Sequence, residues 1–300
     1  GTKIPYEGVT VVPAVGNSAN AVVAAARLGL KSALVSDLGK DVQGDECIAS
    51  LNKDSVGTTF IRHHEGLKTN YHYVLWFKDE RTILIKHEEY PYALPDIGTP
   101  KWIYFSSVGE NSLPYHDAIA NYAESHPDTK LAFQPGTFQI KLGSERLKKL
   151  YERAEVFFFN TDEARIILGG SPTSRGKSDF QQNGVTLAKS IAALGPKVAV
   201  ITDGPRGAYC YDSHTDKSFF MPPYPDPKPP YERTGAGDAF SSTFTSALAL
   251  GKSVQEALRW APINSMSVVQ KIGAQEGLLT RPALEQLLAE APTEYTSRSV

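Results

Sequence analysis

Lys130-Leu131-Ala132-Phe133, then Glu145–Arg153, then Glu155-Val156-Phe157-Phe158-Phe159, then Asp162–Leu168: here short apolar runs alternate with polar segments that carry spaced apolar residues. The runs read as buried strands and the segments between them as helices. Strand alternating with helix at this spacing argues for a parallel sheet with helices on both faces. The rhythm extends outward. Trp102–Phe105 and Val198–Thr202 read as strands, and 114–125 and Asn183–Leu194 as helices. Tyr209–Tyr211 and Ser218–Met221 read as edge strands. A proline-rich loop, 222–230, leads to helices at Asp238–Leu250, Ser253–Lys271 and Pro282–Leu288.

Toward the N-terminus, Val9–Val15 is apolar and β-branched and predicts a strand. Ala19–Leu28 predicts a helix, with Gly29 where a left-handed cap belongs. Ser32–Ser36 predicts a strand and Asp41–Lys53 a helix. Between 58 and 87, alternating β-formers (Tyr71, Tyr73, Leu75 and Phe77, then Ile83 and Ile85) predict a hairpin turning at Lys78-Asp79-Glu80. The expected division is a large α/β domain over 16–57 and 88–300, with a β-rich appendage from 1–15 and 58–87. The appendage reads as a lid over a site or as a dimerisation sheet.

Composition excludes several classes. A net charge of −2 gives no bulk pull toward nucleic acid or an anionic membrane. Apolar runs fall short of the roughly 20 residues that a membrane span needs. Cys47 and Cys210 fit neither a disulfide framework nor a metal pair, which points to a reducing cytoplasm. The histidines show no metal-ligand spacing, and His63-His64 is expected at the surface. Tyr71, Tyr73, Trp76 and Phe77 are expected to pack the lid or an interface.

The chemistry concentrates at Thr234-Gly235-Ala236-Gly237-Asp238, before an amphipathic helix marked by Phe240, Phe244, Ala247 and Leu248. Glycines at a helix start let backbone N–H groups approach an anion. Asp238 would repel a phosphate, but it suits a base that takes a proton from an attacking hydroxyl. A plain capped turn remains the alternative. Two other phosphate motifs do not fit. Phe240 stands where a dinucleotide fingerprint needs its third glycine. Ser246 stands where a P-loop ending in Gly251-Lys252-Ser253 needs its first.

Thr234–Asp238 with Ala239-Phe240 resembles the C-terminal signature of the PfkB/ribokinase family of carbohydrate and nucleoside kinases. Gly16-Asn17-Ser18-Ala19-Asn20 with Ala26-Arg27-Leu28-Gly29 is similar to its N-terminal signature, and Ser36–Asp41 with Gly44 to the segment after it. Asn160-Thr161-Asp162-Glu163 matches the family's N-x-x-E motif. Thr202-Asp203-Gly204-Pro205-Arg206-Gly207-Ala208 resembles its nucleotide-loop strand and turn, and Gly273-Ala274-Gln275 its last turn before the C-terminal helix. The resemblance implies a ribokinase-like three-layer α/β/α sandwich, with a mostly parallel central sheet and a small β-sheet lid.

The resemblance also implies roles. Asp238 would be the catalytic base, and the N–H groups of Gly235, Ala236 and Gly237 an anion hole. Asn160 and Glu163 would orient Mg2+, Glu163 through water, though an N-cap Asn with an N3 Glu is the structural alternative. Thr202, Gly204 and Gly207 would line ATP, with Asn264 near the adenine or else a solvated helical residue. Gly16 and Asn20 would hold substrate hydroxyls, with Gly39 and Asp41 close by. Gln134-Pro135-Gly136 stands at a strand end, where ligands gather in open α/β sheets.

Three departures stand out. Val15 occupies a usual glycine position. Glu232 replaces a usual Asp, which leaves potassium activation open, and Arg233 beside it could face phosphates or solvent. The family's first central strand, which ends in a substrate-binding Asp, has no counterpart before Gly1, so a preceding segment is expected. The function implied is ATP-dependent phosphorylation of a sugar hydroxymethyl group, as in ribokinase or fructokinase, by a possible lid-mediated homodimer. A nucleoside kinase, a kinase of a vitamin-like heterocycle and a non-catalytic ligand-binding protein are the alternatives.

Overall fold

Strand interiors in this chain are apolar on both sides, and the sheet they form is covered on both faces. A computed structural model describes residues 3–77, 80–170 and 180–300. The first part of the chain forms α1 (Asn17–Arg27), β1 (Ser36–Gly39), α2 (Val42–Lys53), β2 (Ile61–His64), β3 (His72–Phe77) and β4 (Glu80–Ile85). The alternating body follows: β5 (Trp102–Phe105), α3 (Leu113–Ser125), β6 (Lys130–Phe133), α4 (Thr137–Arg146), α5 (Lys148–Arg153), β7 (Ala154–Asn160), α6 (Thr161–Ile167), α7 (Phe180–Ala192) and β8 (Val198–Thr202). Last come β9 (Ala208–Asp212), β10 (Lys217–Met221), α8 (Ala236–Ala249), α9 (Val254–Val268), α10 (Arg281–Ala289) and β11 (Arg298–Ser299).

The main sheet has seven strands in the order β11-β10-β9-β8-β7-β6-β5. From β5 to β8 neighbours run parallel, and from β8 to β11 antiparallel. Successive residues of β7 point to opposite faces. Val156 and Phe158 pack with Phe244 of α8 and Ala257, Leu258 and Ile263 of α9. Phe157 and Phe159 pack with Ile119 of α3, Leu150 and Tyr151 of α5 and Ile191 of α7. This is a three-layer α/β/α sandwich. A third cluster joins α1, α2 and β2 to the start of α8 through Val23, Leu51, Ile61 and Ala239.

Several expectations need correction. Residues 9–15 form no strand: Val9 and Val11 are each 74% exposed and sit in no sheet. β-branched composition favours a pleated surface only where a neighbouring strand supplies the ladder. The expected strand 32–36 shifts to 36–39, with a lone bridge from Ala33 to Gly57. The segment 58–87 divides: β2 pairs in parallel with β1, and only β3 and β4 make the hairpin. Its turn at Lys78-Asp79 lies outside the described residues. β9 and β10 lie inside the sheet because β11, polar and two residues long, covers β10. The helix expected over 145–153 appears as the last residues of α4 and then α5 from Lys148, and the body of α4, kinked at Gly143 where φ is 79°, lies outside that expectation. His64 is not a plain surface residue, since its Nε2 lies 2.7 Å from Asp37 Oδ1 and Arg62 pairs with the same carboxylate.

Among the described residues, β5 has no partner beyond β6 and β1 none beyond β2. Residues of β1 and β5 line the same cavity of about 3640 Å³, which also reaches Asp238, Asn17 and Asn20.

Candidate active site

α8 begins at a forced backbone position. Gly235 is its N-cap, with φ 79°, and a β-carbon there would stand 2.4 Å from Ala274 Cβ. Only glycine adopts that conformation freely, and only glycine fits the gap. Gly237 is the opposite case: it is exposed, and a β-carbon added there would meet nothing within 4 Å. The first turn of α8 thus presents backbone to open space, as an anion site requires. Of the three expected anion-hole donors, Ala236 N–H is engaged, at 3.4 Å, with Arg233 O. Glu232 accepts a hydrogen bond from Gly273 N–H, tying the two segments that flank Gly235.

Asp238, in the first turn of α8, receives three side-chain amides. Asn17 Nδ2 donates to Oδ1 at 3.1 Å, Gln134 Nε2 to Oδ1 at 3.1 Å and Asn20 Nδ2 to Oδ2 at 2.8 Å. Burial pushes its carboxyl above the usual 3.8, and the bonds from Asn20, Gln134 and Asn17 act against that rise. The amides come from α1 and from the end of β6. Gly16, the N-cap of α1, has φ 152°, and its carbonyl accepts from Asn20 N at 2.7 Å. Asn20 is 3% exposed. Gln275 Nε2 donates to Asn20 Oδ1 at 3.0 Å and to Ala14 O at 2.7 Å. Arg27 holds that turn from behind, bonding Gln275 O at 2.6 Å and pairing with Asp54. Next to Val15, the strained residue is Ala14, with φ 56°.

A second group gathers at the ends of β7 and β8, where Asn160 and Thr202 are register neighbours. Asn160 caps α6: its Oδ1 accepts from Asp162 N and Glu163 N, and Glu163 Oε2 accepts from Asn160 N at 2.9 Å. The structural alternative for this motif is therefore present as a full capping box. Burial raises the Glu163 carboxyl above 4.5, against the opposing bonds from Asn160. Gly204 and Gly207, with φ 53° and 103°, shape the turn after β8. A β-carbon on Gly207 would meet Met221 O at 2.4 Å. Gln134, Asn160 and Thr202 all stand at C-terminal ends of parallel strands, the edge where open α/β sheets bind ligands.

Three expected site residues are occupied elsewhere. Asn264 is fully buried: Nδ2 donates to Thr243 Oγ1 at 2.8 Å and Oδ1 accepts from Leu279 N at 2.9 Å. It is neither near solvent nor open to an adenine. Asp41 caps α2 through Gly44 N and grips Thr69 through both its N–H and its hydroxyl. Burial acts to raise this carboxyl, but the Thr69 and Gly44 bonds outweigh it and the net shift is downward. A β-carbon on Gly39 would lie 2.5 Å from Leu67 O and Thr69 N. Gly39 and Asp41 therefore anchor the strand-entry segment of the hairpin. The residues that sequence left without a role are Asn17, Gln134 and Gln275. Asn17 and Gln275 sat inside recognised motifs, and Gln134 sat at a strand end.

The model of the family described as pfkB family carbohydrate kinase matches residues 8–281. A ribokinase from Bacillus subtilis (strain 168) is 29% identical over 303 residues, covering 96% of this chain and 94% of the relative. A 5-dehydro-2-deoxygluconokinase from the same organism is 25% identical, covering 91% of this chain and 86% of the relative. The structure of Arabidopsis thaliana ribokinase complexed with ribose and ATP superposes with a TM-score of 0.78 at 20% identity, over 95% of this chain and 93% of that one.

Proposed function

The chain belongs to the pfkB family of carbohydrate kinases, and from that premise we propose that it transfers the γ-phosphoryl group of ATP to a hydroxymethyl group of a sugar. The observation that carries this reading is Asp238 beside the glycine-bounded first turn of α8, held by three amides. The substrate O–H bond breaks as its proton passes to Asp238. The oxygen attacks the γ-phosphorus, the bond to ADP breaks, and the N–H groups of Gly235 and Gly237 meet the growing charge, joined by Ala236 N–H when it exchanges Arg233 O for the phosphoryl. The similarity to a ribokinase across 96% of the chain supports a sugar over a nucleoside, a heterocyclic alcohol or a ligand bound without turnover.

Asn160, Glu163, Thr202, Gly204 and Gly207 are our proposed nucleotide side, at the neighbouring strand ends. Among the described residues no three His, Cys, Asp or Glu side chains cluster to cage a metal. That suits Mg2+, which is usually held by one or two carboxylates, water and substrate phosphates. Glu163 is the residue that would hold it, and the ion would neutralise phosphate charge. Glu232 stands beside the site with its carboxylate accepting from Gly273 N–H, and the comparison of turnover with and without K+ reads whether a monovalent cation acts there.

The hairpin supports a further part of this reading. Tyr73, Leu75 and Leu84 share one face of the hairpin and are 59, 56 and 51% exposed, and a second copy covering that face would bury apolar surface. No described helix is long and apolar enough to cross a membrane, and free Cys47 and Cys210 support a cytoplasmic setting. ADP release across pentoses, hexoses, sugar acids and nucleosides, with Mg2+ and with or without K+, tests the proposal. Turnover of a sugar is the expected result. Turnover of nucleosides alone, or of nothing while ligands bind, overturns it. Light scattering on the same sample reports the dimer.

A further inference from the structure

We infer that Gln134 is a positioning residue for Asp238, locked by Tyr104 so that its amide saturates Oδ1 and leaves Oδ2 as the oxygen that receives the proton. This rests on the reading of Asp238 as the base. An ionised carboxylate accepts at about two sites per oxygen. Oδ1 takes Asn17 and Gln134, and Oδ2 takes Asn20 alone. One site on Oδ2 remains for the substrate hydroxyl.

What fixes Gln134 the right way round is its other end. An amide presents either NH2 or C=O to a neighbour, and the choice follows the surrounding donors. Gln134 Oε1 faces two hydroxyls, the Tyr104 phenol and Ser241 Oγ, the latter at 2.8 Å. Burial, with the Asp238 charge adding to it, holds the Tyr104 phenol well above 10, so the phenol keeps its proton and donates. The Ser241 proton has alternatives, on Gly237 O and on the Tyr104 oxygen, each within 2.8 Å. The Tyr104 proton has one alternative, Ser241 Oγ, and the two hydroxyls between them present donors to Oε1, so Nε2 is left pointing at Asp238. The three residues come from β5, the end of β6 and the second turn of α8, so the lock also fixes those elements to one another. The groups acting on the Asp238 carboxyl are burial and the amides of α1 and β6, and the titratable neighbour is the Tyr104 phenol.

The test uses the full chain with Gln134→Leu, Gln134→Glu and Tyr104→Phe, and Asp238→Asn as reference. Two readouts apply: carbon-detected NMR titration of the Asp238 carboxyl, which needs no substrate, and kcat against pH with the sugar that the panel identifies. Removing one donor to a buried carboxylate is expected to raise its apparent pKa by about one unit and lower kcat about tenfold below that pKa. KM for ATP stays within about twofold, because the nucleotide side is untouched. Gln134→Glu, which sets a second carboxylate against Asp238, raises the upper apparent pKa of the pair further. Tyr104→Phe gives a smaller shift in the same direction, and it covers the case in which Gln134→Leu does not fold. An unchanged titration with kcat within twofold in Gln134→Leu, or in Tyr104→Phe if that variant alone folds, overturns the inference. If Asp238→Asn stays active while Gln134→Leu still shifts the titration, the base reading falls and the lock stands.

Discussion

Replacing Gly235 with alanine should damage this protein at one defined point. The residue sits at φ 79°, and the new β-carbon would lie 2.4 Å from Ala274 Cβ and 2.8 Å from its Cα. The left-handed conformation costs an L-residue about 1–2 kcal/mol. Carbon atoms prefer about 3.5–4 Å, so helix α8 or the 273–275 turn must shift, at about 1–3 kcal/mol for overpacking. Together these give about 2–5 kcal/mol, or on the order of 10 °C in melting temperature at a few degrees per kcal/mol. The turn that must move carries Gln275, which holds Asn20 against Asp238. A displacement of about 1 Å there is expected to cost on the order of 100-fold in kcat. Differential scanning fluorimetry and ADP-release kinetics measure both. Gly237→Ala is the control, because its β-carbon meets nothing within 4 Å, and its melting temperature should not fall. A Gly235→Ala protein that melts within about 2 °C of the parent, roughly the shift of a single kcal/mol, and turns over normally would refute this account of the turn.

Asn264→Leu strands the Thr243 hydroxyl and Leu279 N–H in the core. It should destabilise by about 2–5 kcal/mol in a denaturant titration, with KM for ATP unchanged in the folded fraction. Asp41→Ala removes a helix cap and the Thr69 grip, costing about 0.5–2 kcal/mol by the same titration and raising the sugar KM if the hairpin closes over substrate. The pH dependence has two signs. Asp238 must be ionised to act, and burial lifts its carboxyl above 3.8, so kcat/KM should fall on acidification at a pH above that of an ordinary carboxylate. The Asp41 carboxyl is held below 3.8. Its contribution to stability is complete above 3.8 and disappears as pH drops through the lower folded value, which acid melting curves of the parent and Asp41→Ala should separate.

The layered body was legible because its strands are continuous apolar runs, each bounded by a helix with its own period. Val156 and Phe158 serve one face and Phe157 and Phe159 the other, which is what such a run means physically. Val9–Val15 misled for the complementary reason: its composition suits a strand, but pairing depends on a partner that sequence does not display. The site showed the same split. The glycine-bounded start of α8 was legible because backbone demands and chemistry coincide in one short motif, whereas Asn20, expected to hold substrate hydroxyls, is buried with its amide on Asp238 and its carbonyl on Gln275. Gln134 and Tyr104 were not legible, because their roles exist only where β5, β6 and α8 converge, far apart in sequence. Asn264 carries a side chain that suits ligand binding, and Thr243 and Leu279 use up that capacity; Gly39 and Asp41 are tied to Thr69, a contact that sequence does not display.

The most direct test of the central claim is turnover by Asp238→Asn, with nucleotide affinity measured on the same preparation by calorimetry. The asparagine keeps the size of the side chain and removes the charge that accepts the proton. The account predicts that sugar-dependent ADP release disappears while ATP affinity stays within a few fold, since the proposed nucleotide side is formed by Asn160, Glu163 and Thr202–Gly207. Retention of more than about 5% of parental kcat, well above the loss of roughly 100-fold or more expected on removing a general base, would contradict it.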